Sequence, residues 1–215
     1  MRKGVLFGTI ILAVFCAPAG ASSIVIGAPT DPGGNAFPFG GAFMGNPGTR
    51  YQQAYASTDF SGPMSIVGID FLHGTGTLAG RTYFLYFSTI TAGIDTLSNS
   101  NFASNLGPDN TLFATRALSG AAPATLSFTG GPFLYNPASG NLLLDIIISP
   151  GGVPPNGSYD ARNGTAVGTF SRYHNFGIGN SGYGLVTQFD FVPEPSTFIL
   201  AGFGLASVAF RRFVR

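Results

Sequence analysis

NLLLDIIIS, residues 141–149, is an apolar run interrupted once, by Asp145. A continuous apolar stretch of this kind is expected of a central strand covered on both faces. A carboxylate inside it must be paired or protonated if it is buried. The expectation for Asp145 is a hydrogen bond at a strand edge or an ion pair with an arginine, with a calcium ligand on a sheet edge as the sharper alternative.

Outward from this run the same grammar repeats. Thr82–Thr89 places Tyr83, Leu85 and Phe87 on one face and Phe84 and Tyr86 on the other, as in a strand covered on both sides. Ser65–Leu72 alternates, with Val67, Ile69 and Phe71 sharing a face. Gly184–Phe191 puts Leu185, Thr187, Phe189 and Phe191 on one side. Arg50–Ala56, Thr111–Arg116, Thr125–Thr129 and Thr165–Arg172 are further candidates. Clusters such as His73–Gly76, Gly130–Pro132 and Pro150–Gly157 punctuate them. No stretch between residues 22 and 191 has a helical period, apart from one short turn near Leu97–Asn105. A parallel sheet needs crossover helices, and none is available. The pattern predicts an all-β fold, an antiparallel β-sandwich of jelly-roll type. Residues 22–49 are rich in Gly, Pro, Ala and Asn; past the apolar start at Ile24–Ile26 they read as an irregular arm along the domain.

Charge is scarce, at 9% of residues, and unevenly placed. Arg2, Lys3, Arg211, Arg212 and Arg215 sit at the two ends, whereas Ser22 to Val192 holds eight aspartates and five arginines with no Lys or Glu. That segment is mildly acidic and carries no basic stripe, which excludes nucleic-acid binding. The single cysteine, Cys16, lies outside it, so a disulfide framework and a cysteine metal site are excluded as well.

Both ends read as addresses. Residues 1–21 combine the basic Arg2-Lys3, an apolar run from Val5 to Phe15, and small residues Ala19 and Ala21 at −3 and −1 of a cut before Ser22. This is the pattern of a secretory signal peptide, too short for a spanning helix. At the other end, Val192-Pro193-Glu194-Pro195-Ser196-Thr197 precedes an apolar run over residues 198–210 and a basic stop of Arg211, Arg212 and Arg215. The two prolines keep the motif extended. Thirteen apolar residues make a short transmembrane helix of roughly 20 Å, with its arginines held on the cytoplasmic side.

Pro193-Glu194-Pro195, short apolar helix and basic tail in this order resemble the PEP-CTERM sorting signal; the same segment is also labelled an ice-binding protein C-terminal domain. The resemblance implies an exosortase as partner, cleavage near Pro193-Glu194-Pro195, and delivery from an inner-membrane-anchored intermediate to the cell surface or extracellular matrix of a Gram-negative-type bacterium. Signal peptidase is the partner implied at Ala19 and Ala21. Residues 50–71 and 131–148 also resemble blocks of β-sandwich proteins that bear this tail. The resulting division is signal peptide 1–21, arm 22–49, β-sandwich domain 50–191 and sorting segment 192–215.

Catalytic and cofactor signals are weak. Two histidines, His73 and His174, are too few for a multi-His metal site. No serine lies in a Gly-x-Ser-x-Gly elbow. Gly177, Gly179 and Gly182 match G-x-G-x-x-G but precede a strand, which makes them a turn. Asn156-Gly157-Ser158 and Asn163-Gly164-Thr165 match the glycosylation pattern and read as turns. The chain is expected to be a non-enzymatic, structural or adhesive surface protein without a cofactor, in contact with exopolysaccharide. A carbohydrate-binding module is the second class; it predicts exposed rings among Tyr83, Tyr86, Tyr159, Tyr173 and Tyr183. A secreted hydrolase is the third; it predicts carboxylates converging in one pocket.

Overall fold

The strands in chain order are β1 Ser22–Ile26, β2 Asp31–Asn35, β3 Thr49–Tyr55, β4 Met64–Leu72, β5 Thr77–Ile90, β6 Thr111–Ala121, β7 Thr125–Tyr135, β8 Asn141–Ile148, β9 Tyr159–Arg162, β10 Phe170–His174, β11 Asn180–Ser181, β12 Gly184–Leu185 and β13 Thr187–Pro193. The structure, a computed structural model, describes residues 21–40, 49–151, 156–162, 168–174 and 180–193. The apolar run over 198–210, with Ala19, Glu194, Pro195, Arg211, Arg212 and Arg215, lies outside them. Among the described residues no helix is long and apolar enough to cross a membrane.

Every strand pairing is antiparallel. One sheet runs β1-β13-β4-β7, a second β11-β10-β3-β8-β5-β6, and a small third β12-β9-β2. The first two face each other through aromatic rings. Phe189 of β13 meets Tyr55 of β3 at 4.9 Å and Phe87 of β5 at 6.1 Å. Between them lie Ile66, Ile69, Phe71, Tyr83, Leu85, Phe128, Leu142, Leu144 and Ile146, all at or near zero exposure. Each such side chain contributes about 1.5–3 kcal/mol by leaving water.

β8 occupies the position its composition predicts, between β3 and β5. Leu142, Leu144, Ile146 and Ile148 join the main core. Leu143 faces the other way, into a second cluster with Ala54, Ile90, Ile94 and Leu97. Short 3-10 turns at Ile94–Thr96 and Phe102–Asn105, where one helix-like turn was expected, belong to the segment covering that outer face.

Four expectations change. Gly130–Pro132, expected to punctuate the strands, lies inside β7, at the point where its register with β4 shifts. Residues beyond Ile26, expected to be irregular, contain β2, which pairs with β9 only at Asp31↔Ala161 and Asn35↔Tyr159. The turn after it inserts a fully buried Phe39 among Phe71, Tyr83 and Tyr159, with ring centroids 4.9–5.4 Å away. In β4 the core residue is Ile66, while Val67 is half-buried on the other side. A β-bulge between Ile66 and Gly68 shifts the alternation by one residue, so that Ile69 and Phe71 still point inward. On β5, Tyr83, Leu85 and Phe87 are buried as expected, but Phe84 and Tyr86 are only half-covered.

Candidate sorting site

The last described strand, β13, alternates strictly. Thr187, Phe189 and Phe191 point into the core, and Gln188 and Asp190 stand half-buried on the outer face. Gln188 Nε2 donates to Asp190 Oδ1 at 3.0 Å and to Asp70 Oδ2 of β4 at 3.2 Å, which holds two carboxylates together beside one amide. The β4 bulge lies opposite this point: Asp190 pairs with Gly68 and Phe191 with Ile66, leaving Val67 unpaired. A Cβ on Gly68 would sit 2.9 Å from Asp190 Oδ2, so this close approach suits glycine.

Beyond the bulge β13 runs on along β4, with Val192 opposite Ser65 and Pro193 opposite Met64. Its other neighbour stops earlier. β1 pairs in register from Ile26↔Thr187 to Ser22↔Phe191 and goes no further. Among the described residues, 192 and 193 are therefore held on one edge only, by β4, and Pro193 has no N–H to offer on the other. Ala21, Ser22, Ser23, Val67, Gly68, Thr129 and Asp190 line a shallow recess at this corner. Of the residues assigned to processing, the structure places Ala21 and Pro193, and it brings them to the same corner of the sheet. The long-range pairing that joins them leaves no mark in the local sequence.

Other polar clusters serve the fold. Asp145 is buried and forms a two-pronged pair with Arg50, 2.7 Å at each contact. It also accepts from Gln52 Nε2 at 3.1 Å, and Asn105 Nδ2 donates to Gln52 Oε1 at 2.8 Å. The arginine pair expected for Asp145 is thus what forms. Asp160, also buried, accepts from the Gly33 N–H at 2.8 Å and meets His73 Nδ1 at 2.5 Å, tying β2 to β9 and to the turn after β4. His73 has φ +51, the one positive φ outside glycine among the described residues.

Arg172 is buried with no carboxylate beside it among the described residues. Its Nη1 donates to Asn35 Oδ1 at 2.8 Å, and its guanidinium lies 3.9 Å from the Tyr183 ring centroid and 5.4 Å from that of Phe37. Burial lowers its pKa. His174, stacked on Phe37 at 4.7 Å, is pushed down to about 4 by burial and then by Arg172. Burial raises Tyr51 to about 12. Among the described residues no three His, Cys, Asp or Glu side chains gather as a metal site. Of the five tyrosines singled out from sequence, Tyr83 and Tyr159 are fully buried and Tyr86, Tyr173 and Tyr183 are half-buried. Gly182 has φ +68 in the turn before β12, where a turn was expected.

No curated protein and no solved structure matches the chain. One family model does, and it falls on the strand described above and its continuation: the PEP-CTERM protein-sorting motif, over residues 191–212. The match begins at Phe191, where β1 ends its pairing, and takes in Pro193, Glu194, Pro195, Arg211 and Arg212. The chain therefore carries, at residues 191–212, the PEP-CTERM sorting signal by which an exported protein is handed to an exosortase.

Proposed function

We propose that the β body is a structural or adhesive component of a Gram-negative-type cell surface or its exopolysaccharide matrix, a jelly-roll-like sandwich that acts by placement and contact without turnover. A signal peptide cleaved after Ala21 starts its export. The helix over 198–210 holds it in the inner membrane, the arginines at 211, 212 and 215 keep that helix from passing through, and the exosortase cuts near Pro193-Glu194-Pro195. The observation that carries this reading is the sorting motif at residues 191–212, continuous with a strand of the folded body.

The structural role is supported over sugar recognition by the tyrosines. A module that stacks sugars presents aromatic faces to solvent, and none of the five candidate rings is exposed. Contact with polysaccharide then falls to polar side chains and backbone, which suits many weak contacts. The test is intact mass of the protein from envelope and medium, in the native host and in a strain lacking the exosortase. The expected result is loss of both ends, with the C-terminal loss confined to the strain that has the enzyme. A C-terminus retained in both strains would overturn the sorting role.

A further inference from the structure

Asp145, Asp160 and Arg172 are buried with hydrogen-bond partners, whereas Arg81 is buried with none. A β-bulge in β5 puts it there. Between Leu78↔Gly120 and Arg81↔Leu118, Ala79 and Gly80 stand against Ser119 alone. Arg81 thereby joins Tyr83, Leu85 and Phe87 in the inward set and is only 5% exposed. Its Nε and Nη1, which carry one and two N–H groups, are buried and meet no acceptor. The hydroxyls of Tyr83 and Tyr159 are in the same state. Both of those rings pack on Phe39, at 5.4 and 5.2 Å. Burial raises the Tyr83 phenol, the Arg81 charge partly offsets that, and Tyr159 adds to the rise, so Tyr83 lies within electrostatic reach of both. Burial also pushes Tyr159 up to about 12. Both phenols therefore stay protonated and able to donate.

We propose that Arg81, Tyr83 and Tyr159 hold one small monovalent anion, of chloride size, inside the end of the sandwich. A guanidinium taken out of water without a counter-charge is strongly destabilising. Water offers the phenols a partner but leaves that charge uncompensated. An anion meets the N–H and O–H donors and balances the charge together. The neighbours set its class. Leu118 lies opposite Arg81, and Phe71 closes on Phe39 and Tyr159 at 4.9 and 6.5 Å. One guanidinium balances one negative charge, and apolar walls favour an ion that sheds its water easily. Sulfate, phosphate and the carboxylate of a polymer are disfavoured on both counts. The site lies within the folded body and stands apart from the sorting signal.

The test is thermal melting of the purified full-length chain, in detergent, in sodium chloride and in sodium gluconate at equal ionic strength. Chloride is expected to raise the melting temperature by about 5 °C once it is far above its dissociation constant, saturating as for one site. Arg81→Met is expected to fold, because it replaces a buried charge with an apolar side chain of similar length, and to melt alike in both salts. Tyr83→Phe with Tyr159→Phe keeps the arginine and is expected to weaken chloride by about tenfold per hydroxyl lost. This pair decides the matter if the Met variant does not fold. Equal melting of wild type in the two salts would mean that water meets these donors, and would overturn the proposal. A chloride effect that persists unchanged in the variants would place the anion elsewhere and overturn it as well.

Discussion

Single residues here show how a chain poor in charge spends the few it has. Asp145 interrupts β8 and would be a severe defect were it alone. Across the sheet on β3, Gln52 is the direct register partner of Asp145, and Arg50 lies two positions along the same strand. Replacing Asp145 with Leu removes the two-pronged carboxylate partner of Arg50 and one of the two acceptors of the Gln52 amide, and we expect a loss of about 3 kcal/mol in urea unfolding. The double change Asp145→Leu with Arg50→Met is expected to recover most of it, because a matched apolar pair has nothing left to desolvate. His174 makes the opposite case, a base held neutral. Its folded pKa of about 4 lies below the usual 6.5, so between these values the unfolded chain binds more protons. Stability is therefore expected to be flat above pH 6.5 and to fall with acid down to about pH 4. Urea midpoints at several pH values check this, and His174→Gln is expected to flatten that slope.

Elements were legible in sequence to the degree that they announce themselves locally. β8 and β5 carry enough contiguous apolar or alternating residues to reveal both their state and their place near the sheet centre. β2 does not: Asp31-Pro32-Gly33-Gly34-Asn35 is turn-forming by every local preference. It becomes a strand because Asp160, 127 positions along the chain from Gly33, captures the Gly33 N–H. The phase of β4 was misread at Val67 for a related reason. A bulge is one extra residue that alternation alone cannot reveal, and the close approach of Asp190 to Gly68 belongs to the folded state. Gly68→Ala is expected to displace the Asp190 carboxylate from Gln188 and cost about 1 kcal/mol; thermal melting measures it. The sorting motif was legible because its recognition is local and linear, whereas its position beside Ser22 depends on a pairing spanning nearly the whole chain.

At the scale of the whole molecule, β1 covers one edge of the first sheet and supplies Ile26 to the core. Deleting residues 22–26 is expected to leave the body partly folded and self-associating, since β13 would then present an unpaired edge. Size-exclusion chromatography of chains beginning at residue 22 and at residue 27 compares the two. The pairing of the first strand with the last also governs timing. β4 waits until residues 187–193 arrive before it gains its second neighbour, and β1 waits with it. Contacts so distant in sequence form slowly. On the proposed export led by the N-terminus, the body thus cannot close its sheets early, and stays pliable enough for passage until almost its last residue has crossed.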